Sequence, residues 1–199
     1  MQQESSRRSN RDRTDATRAA LIAAARALFI EKGYAATGTP EIVAAAGVTR
    51  GALYHHFADK EALFRAVVEQ EAEVVAAEIE RAAPSEAPDL AAALSAGGRA
   101  YLKAMNVPGR TRLLLLDGPA VLGRAVMDEI DGRHGNRTLR EGLAAAMRAG
   151  AIERLPLDAL TGLLGAMYDR ATMAIAEGAS FEDQMAVMDS VLAGLASRR

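Results

Sequence analysis

One short stretch restricts this 199-residue chain more than any other: Thr39–Phe57, TPEIVAAAGVTRGALYHHF. Thr39 can cap a helix, Pro40 fits the first helical position, and Glu41 suits the positive end of the helix dipole. That helix lasts only to Ala46. Gly47 and Val48 make a turn, and Thr49 caps a second helix from Arg50 to about Phe57. Helices this short are marginal on their own, so both must be held by neighbouring elements.

The neighbours are also helices. Half of the residues are hydrophobic, aromatics are only 4%, and Ala and Leu outnumber the β-branched types, a balance that favours helix over sheet. A first helix is expected from about Thr14 to Lys32, with Leu21, Ala25, Leu28 and Phe29 on one face and Gly33 ending it. Residues 1–13 carry Arg7, Arg8, Arg11 and Arg13 among Ser, Gln and Asn, and are expected to form a disordered basic arm. Asp59 caps a long fourth helix from Lys60 to about Ala83, and Pro84 and Pro88 break it. Further helices are expected at about 89–105, near 109–116, once or twice between 119 and 149, at 157–177 and at 181–197. The expected fold is all-α: residues 14–58 form a three-helix head, and 59–199, including the linking helix, form a helical body.

Several function classes lose support. There is no cysteine, so disulfides and thiolate metal sites are excluded. The N-terminus lacks an apolar core and does not read as a secretory signal, and no run of about 18 apolar residues predicts a membrane span. A cytoplasmic protein is expected. His-Glu-x-x-His, a nucleophile elbow, a phosphate loop and a dinucleotide fingerprint are all missing, so we expect no enzyme and no cofactor, although Asp117, His134 and Asp169 keep an all-helical enzyme as an alternative. Net charge is −2, but residues 1–60 carry +3 (nine Lys/Arg, six Asp/Glu) and the rest −5 (fifteen and twenty). A basic front on an acidic body suggests that one end meets a polyanion.

On a helical wheel of Arg50–Phe57, Leu53 and Phe57 face inward, while Gly51 and His55 face out, flanked by Arg50, Ala52 and Tyr54. An exposed mid-helix Gly costs about 1 kcal/mol relative to Ala and makes sense where another surface comes close. Arg50 can donate twice to guanine, and Tyr54 and His55 offer donors and apolar surface. Thr39 and Lys60 sit in first turns that favour phosphate. Two helices about a tight Gly turn, the second exposed, make a helix-turn-helix. Residues from about 17 to 65, above all GVTRGALYHHFADKEALF, resemble the DNA-binding head of the TetR family of transcriptional regulators. The resemblance implies a homodimeric, ligand-responsive regulator, usually a repressor, that binds a palindromic double-stranded operator. By motif position it places Thr49, Arg50, Gly51, Tyr54 and His55 on the operator, with Thr39, His56 and Lys60 near phosphates. Val43 departs from the pattern, since many members carry Ala after the Ile.

In the body, Leu160, Leu164, Met167, Ala171 and Ala174 form one apolar stripe, and Phe181, Met185, Met188, Leu192 and Leu195 form another. We expect both stripes at a homodimer interface of the four-helix type. Gly162, Gly165 and Ala176 lie near the far side of the first. Leu113–Leu116 is expected to be buried on several sides, and Asp117 can cap the helix after it. Tyr101, Met105, Arg112, Met127, Met147, Tyr168 and Asp169 are the candidate lining of a pocket for a small effector. A body that docks a protein partner instead is the alternative; a cavity of several hundred Å³ separates the two.

Overall fold

The computed structural model describes residues 2–82 and 90–195, with side chains from 12 to 82 and from 92 to 195. Those residues form ten α-helices and one π-helical segment: α1 Gln2–Lys32, α2 Thr39–Ala46, α3 Arg50–His56, α4 Lys60–Ala82, α5 Leu90–Met105, the π-helical segment Arg112–Asp117, α6 Gly118–Leu122, α7 Arg124–Arg133, α8 Gly135–Arg148, α9 Leu157–Ala176 and α10 Phe181–Gly194. Pro84 and Pro88, read as a break, lie outside the described residues, and so does the end of the last expected helix at 196–197.

The head closes around aromatic rings. Phe29 of α1 meets Phe64 of α4 edge-on at 5.1 Å, and Tyr34 meets Phe64 at 4.9 Å. Leu21, Ala25, Ile42, Leu53 and Leu63, all 0% exposed, complete this core. Burying a side chain of this size stabilises by about 1.5–3 kcal/mol, enough to hold helices as short as α2 and α3 in place. Between them Gly47 adopts φ +66°, and its N–H and that of Val48 close onto Ala44 and Val43 carbonyls. Thr49 Oγ1 accepts from the Ala52 N–H at 3.1 Å, and Asp59 Oδ1 accepts from Ala62 at 2.7 Å.

Four local expectations are corrected. Residues 2–13 continue α1 as helix rather than forming a disordered arm. No Pro or Gly interrupts them, and extending an existing helix avoids the cost of a new nucleus. Gly38, not Thr39, precedes α2, and its N–H is taken by the Glu41 carboxylate at 3.2 Å. Finally, Leu113 and Leu114 are buried, Leu115 is half-buried and Leu116 is 52% exposed. Asp117 stands at the N-cap of α6, but its side chain makes no capping hydrogen bond; it pairs with Arg112 at 3.2 Å. The wide π turn closes with the Gly118 N–H donating to Leu113, and a Cβ at Gly118 would lie 2.8 Å from that carbonyl oxygen.

Head and body meet along α4. Glu71, buried at its middle, accepts from Arg26 of α1 and from Arg110 Nε at 2.6 Å. Arg110, also buried, forks onto Glu78 at 2.7 and 2.8 Å and donates to the Ala104 carbonyl at 2.7 Å. Nearby, Gly109 (φ +86°) packs so closely on Ile30 of α1 that a Cβ there would approach it to 2.5 Å.

The apolar stripes of α9 and α10 turn inward. Leu164, Ala171, Met185, Met188 and Leu192 are at most 4% exposed within the single chain, and Leu160, Met167, Phe181 and Leu195 pack partly against the same clusters. Periodicity identified which residues share a face but not which face is free. The outward faces carry Leu163 (68% exposed) and Val187 (61%) among small residues: Ala159, Gly162 and Ala166 on α9, Ala186, Ser190 and Ala193 on α10.

Candidate nucleic-acid interface and ligand cavity

The head presents α3 outward. Thr49, Arg50, Gly51, Tyr54 and His55 are all exposed, and His56 and Thr39 are half-buried beside them. A Cβ added to Gly51 would meet only Thr49 Oγ1, at 3.8 Å, so nothing inside the protein requires glycine there. The Arg50 guanidinium lies over the Tyr54 ring at 5.5 Å. Hydrogen bonds with Thr39, then with Arg50, draw the Tyr54 phenol below its usual pKa. Thr39 thus turns its side chain toward α3 instead of capping its own helix. The two histidines diverge, their rings 5.4 Å apart and steeply inclined.

Lys60 differs from the expectation of a free cation near phosphate. Its ammonium donates to the Tyr34 and Thr37 carbonyls at 2.9 and 3.0 Å and sits 4.1 Å above the Tyr34 ring. The lysine ties the start of α4 to the α1–α2 connection, because that loop offers two carbonyls with no helical partner.

Farther down, α4, α5, α7, α8 and α9 line a partly open cavity of about 430 Å³. Tyr101, Tyr168 and Asp169, predicted for it, do line it. Met105 and Met127 do not; both are fully buried in the core continuous with the head. Met147 packs with Leu94 and Leu143, and Arg112 lies outside, paired with Asp117 and stacked so close to Gly33 that a Cβ there would collide with it. Methionine fills core gaps as readily as it lines pockets, so its presence alone did not discriminate.

The wall that sequence reasoning missed is made of carboxylates and glycines: Glu80, Asp131, Glu141, and Gly97, Gly98, Gly142. Glycines inside helices, each costing about 1 kcal/mol, were the available signal. Tyr101 donates to Asp169 Oδ1 at 2.6 Å. Burial, then the Asp169 charge and that bond, raise the Tyr101 phenol well above its usual value. Burial also raises Asp169, and burial followed by the Asp169 charge pushes Asp131 up to about 6. The Tyr168 hydroxyl is buried with no hydrogen-bond partner.

A helix-turn-helix head on a long helix that reaches a partly open cavity defines a chain that is helical through its described residues, with α3 exposed. The family description "Bacterial regulatory proteins, tetR family" matches residues 21–67, and "Tetracyclin repressor-like, C-terminal domain" matches 91–197, more than half of the chain. A TetR-family transcriptional regulator from Pectobacterium atrosepticum, solved by crystallography, is 34% identical, superposes with a TM-score of 0.74, and is covered over 98% of its length by 94% of this chain. The chain belongs to the TetR family. Curated relatives match over shorter stretches: the activator FasR of Mycolicibacterium smegmatis, 42% identical over 32% of this chain, and the repressor BepR of Brucella suis, 44% identical over 26%. The chain covers only 29% and 25% of those two relatives' lengths. Among the described residues, no helix is long and apolar enough to cross a membrane.

Proposed function

We propose that this protein is a DNA-binding transcriptional regulator that represses from a palindromic operator as a homodimer and releases it when a small molecule fills the body cavity. The observation that carries the DNA reading is the exposed α3 face around an unobstructed Gly51. Arg50 and Tyr54 supply base-edge donors, Thr49 and His55 flank them, and Thr39, His56 and the first turn of α4 lie toward the phosphates. A repressor is the sign carried by BepR's name, whereas FasR is named an activator.

For the dimer, the free faces of α9 and α10 around Leu163 and Val187 are the supporting feature. Their small neighbours let a second pair of helices approach closely, and a twofold there presents two heads to half-sites about 34–36 Å apart. For ligand response, the cavity favours a small effector over a protein-docking body. One helix links the two ends: Ile79 and Glu80 of α4 line the cavity, while Lys60 holds its other end to the head. A ligand that binds one body shape better than another tilts α4 and changes the spacing of the recognition helices. Shifting occupancy from mostly bound to mostly free takes about 5 kcal/mol of differential affinity.

Selecting genomic DNA fragments on the purified protein tests this. The expected result is a short inverted repeat protected over two successive major grooves. Recovery of fragments with no shared sequence, held only at low salt, would contradict sequence-specific regulation.

A further inference from the structure

Taking the cavity as the effector site, as proposed above, its lining identifies the class of effector. Four carboxylates reach the cavity, from Glu80, Asp131, Glu141 and Asp169, and among the described residues no Lys, Arg or His does. Two of the four are already matched: Arg137 of α8 pairs with both Glu80 and Glu141. Asp131 of α7 and Asp169 of α9 have no cation within ion-pair distance among the described residues; Asp169 has the Tyr101 hydroxyl, and Asp131 makes no side-chain hydrogen bond. Each would be expected to find a partner once water is displaced, because a buried charge is costly unless it is paired.

An independent feature points the same way. Tyr168, 4% exposed, lines the cavity with its hydroxyl unpartnered, held over Gly98, another lining residue. Its hydroxyl, which can accept as well as donate, and the two carboxylates, which only accept when ionised, can each take an N–H donor. The remaining wall is mainly apolar, with Ile79, Ala93, Leu94 and Leu139 beside the polar Asn136 and Thr138, and the two tyrosine rings stand edge to face at 6.0 Å. Among the described residues, no three His, Cys, Asp or Glu side chains converge to hold a metal ion.

We propose that the effector is a compact organic ammonium: an apolar body of a size that fits about 430 Å³, carrying a protonated amine that donates to Asp131, Asp169 and Tyr168. The ammonium replaces the like-charge repulsion between the two aspartates with two attractive contacts. The apolar body lies against Ile79 of α4, which puts the ligand in contact with the helix that reaches the head.

Titration calorimetry on the full-length protein near neutral pH tests the proposal, using phenylbutylamine, phenylbutanol and phenylbutyrate as probes with one apolar body and three charges. The amine is expected to bind, the alcohol to bind about thirtyfold more weakly or worse, and the carboxylate not to bind. Asp131→Asn, which removes a charge that supports no other side chain, is expected to abolish most of that preference while leaving the circular dichroism unchanged. Alcohol or carboxylate binding as tight as the amine, or a preference that survives in the Asp131→Asn/Asp169→Asn double variant, would overturn it. Gly97→Leu grows a side chain where a Cβ meets nothing within 4 Å, at a residue lining the cavity. If it removes charge-indifferent binding, the cavity remains the ligand site and only the ammonium class fails. If binding persists in Gly97→Leu, or no probe binds, the cavity reading fails as well.

Discussion

Arg110→Met removes the guanidinium that joins head and body while retaining the length of its stem. It deletes four hydrogen bonds, to Glu71, twice to Glu78 and to the Ala104 carbonyl. Glu71, 4% exposed, then keeps only Arg26. Breaking a buried ion pair costs about 3–5 kcal/mol, and the surviving Arg26 puts the expected loss near 3 kcal/mol. For a chain of this size that is a fall of about 6–12 °C in Tm. Urea unfolding at fixed protein concentration is the assay, because the proposed dimer would make stability concentration-dependent. The pH dependence has a definite sign. Burial alone would raise the Glu71 carboxyl, but the bonds from Arg26 and Arg110 outweigh it and hold it below its ordinary value. A carboxyl lowered on folding contributes stability above its unfolded pKa of about 4.3, and that contribution is lost as pH falls. The deficit of Arg110→Met is therefore greatest near neutral pH and shrinks below about pH 4. Adding Glu71→Leu is expected to recover much of it, since a buried charge no longer lacks a partner. A loss under about 1 kcal/mol, or one equal at acid and neutral pH, would refute the reasoning.

Three other perturbations test separate parts of the molecule. Gly47 has φ +66° and open space where a Cβ would go, so Gly47→Ala is expected to cost about 1–2 kcal/mol from backbone strain alone, read by urea unfolding. Leu163→Asp and Val187→Asp, on the free faces of α9 and α10, are expected to yield a folded monomer in sedimentation velocity with half-site affinity only. Asp131→Asn is expected to stabilise the protein near neutral pH by about 2 kcal/mol, allowing for partial exposure, because burial and then Asp169, with Asp128 adding and Arg124 opposing, hold the carboxyl at about 6. A carboxyl raised on folding favours the fold below its unfolded pKa and loses that contribution as pH rises through about 6, so the gain disappears in thermal melts below about pH 4.

The head was legible because its signals are local. Pro40, Gly47, Thr49 and Asp59 each act within a few residues of themselves, through fixed φ, left-handed backbone or a cap, and Gly51 announced an exposed face by having no packing reason to be there. The body was less so. Along α9 and α10 the helical period groups Leu164 with Ala171 and Met185 with Met188, but both helices carry apolar residues on two sides, and only tertiary packing decided that Leu163 and Val187 stay outside. The cavity was hardest, because a cavity lies where side chains are missing. Its best signals were Gly97, Gly98 and Gly142 inside helices, and the large residues Met105 and Met127, which look suited to a pocket, fill the core instead. Lys60 shows the same limit at the head: its position was readable, but its carbonyl partners come from a loop more than twenty residues away.

The most direct test of the central claim is the affinity of Arg50→Ala and Gly51→Glu for the selected operator, by fluorescence anisotropy at one fixed salt concentration. Arg50→Ala is expected to lose about 1–3 kcal/mol of discrimination against a wrong base, and Gly51→Glu to abolish specific binding, with helicity and dimer mass unchanged. Wild-type affinity in both variants would mean that α3 does not meet the duplex.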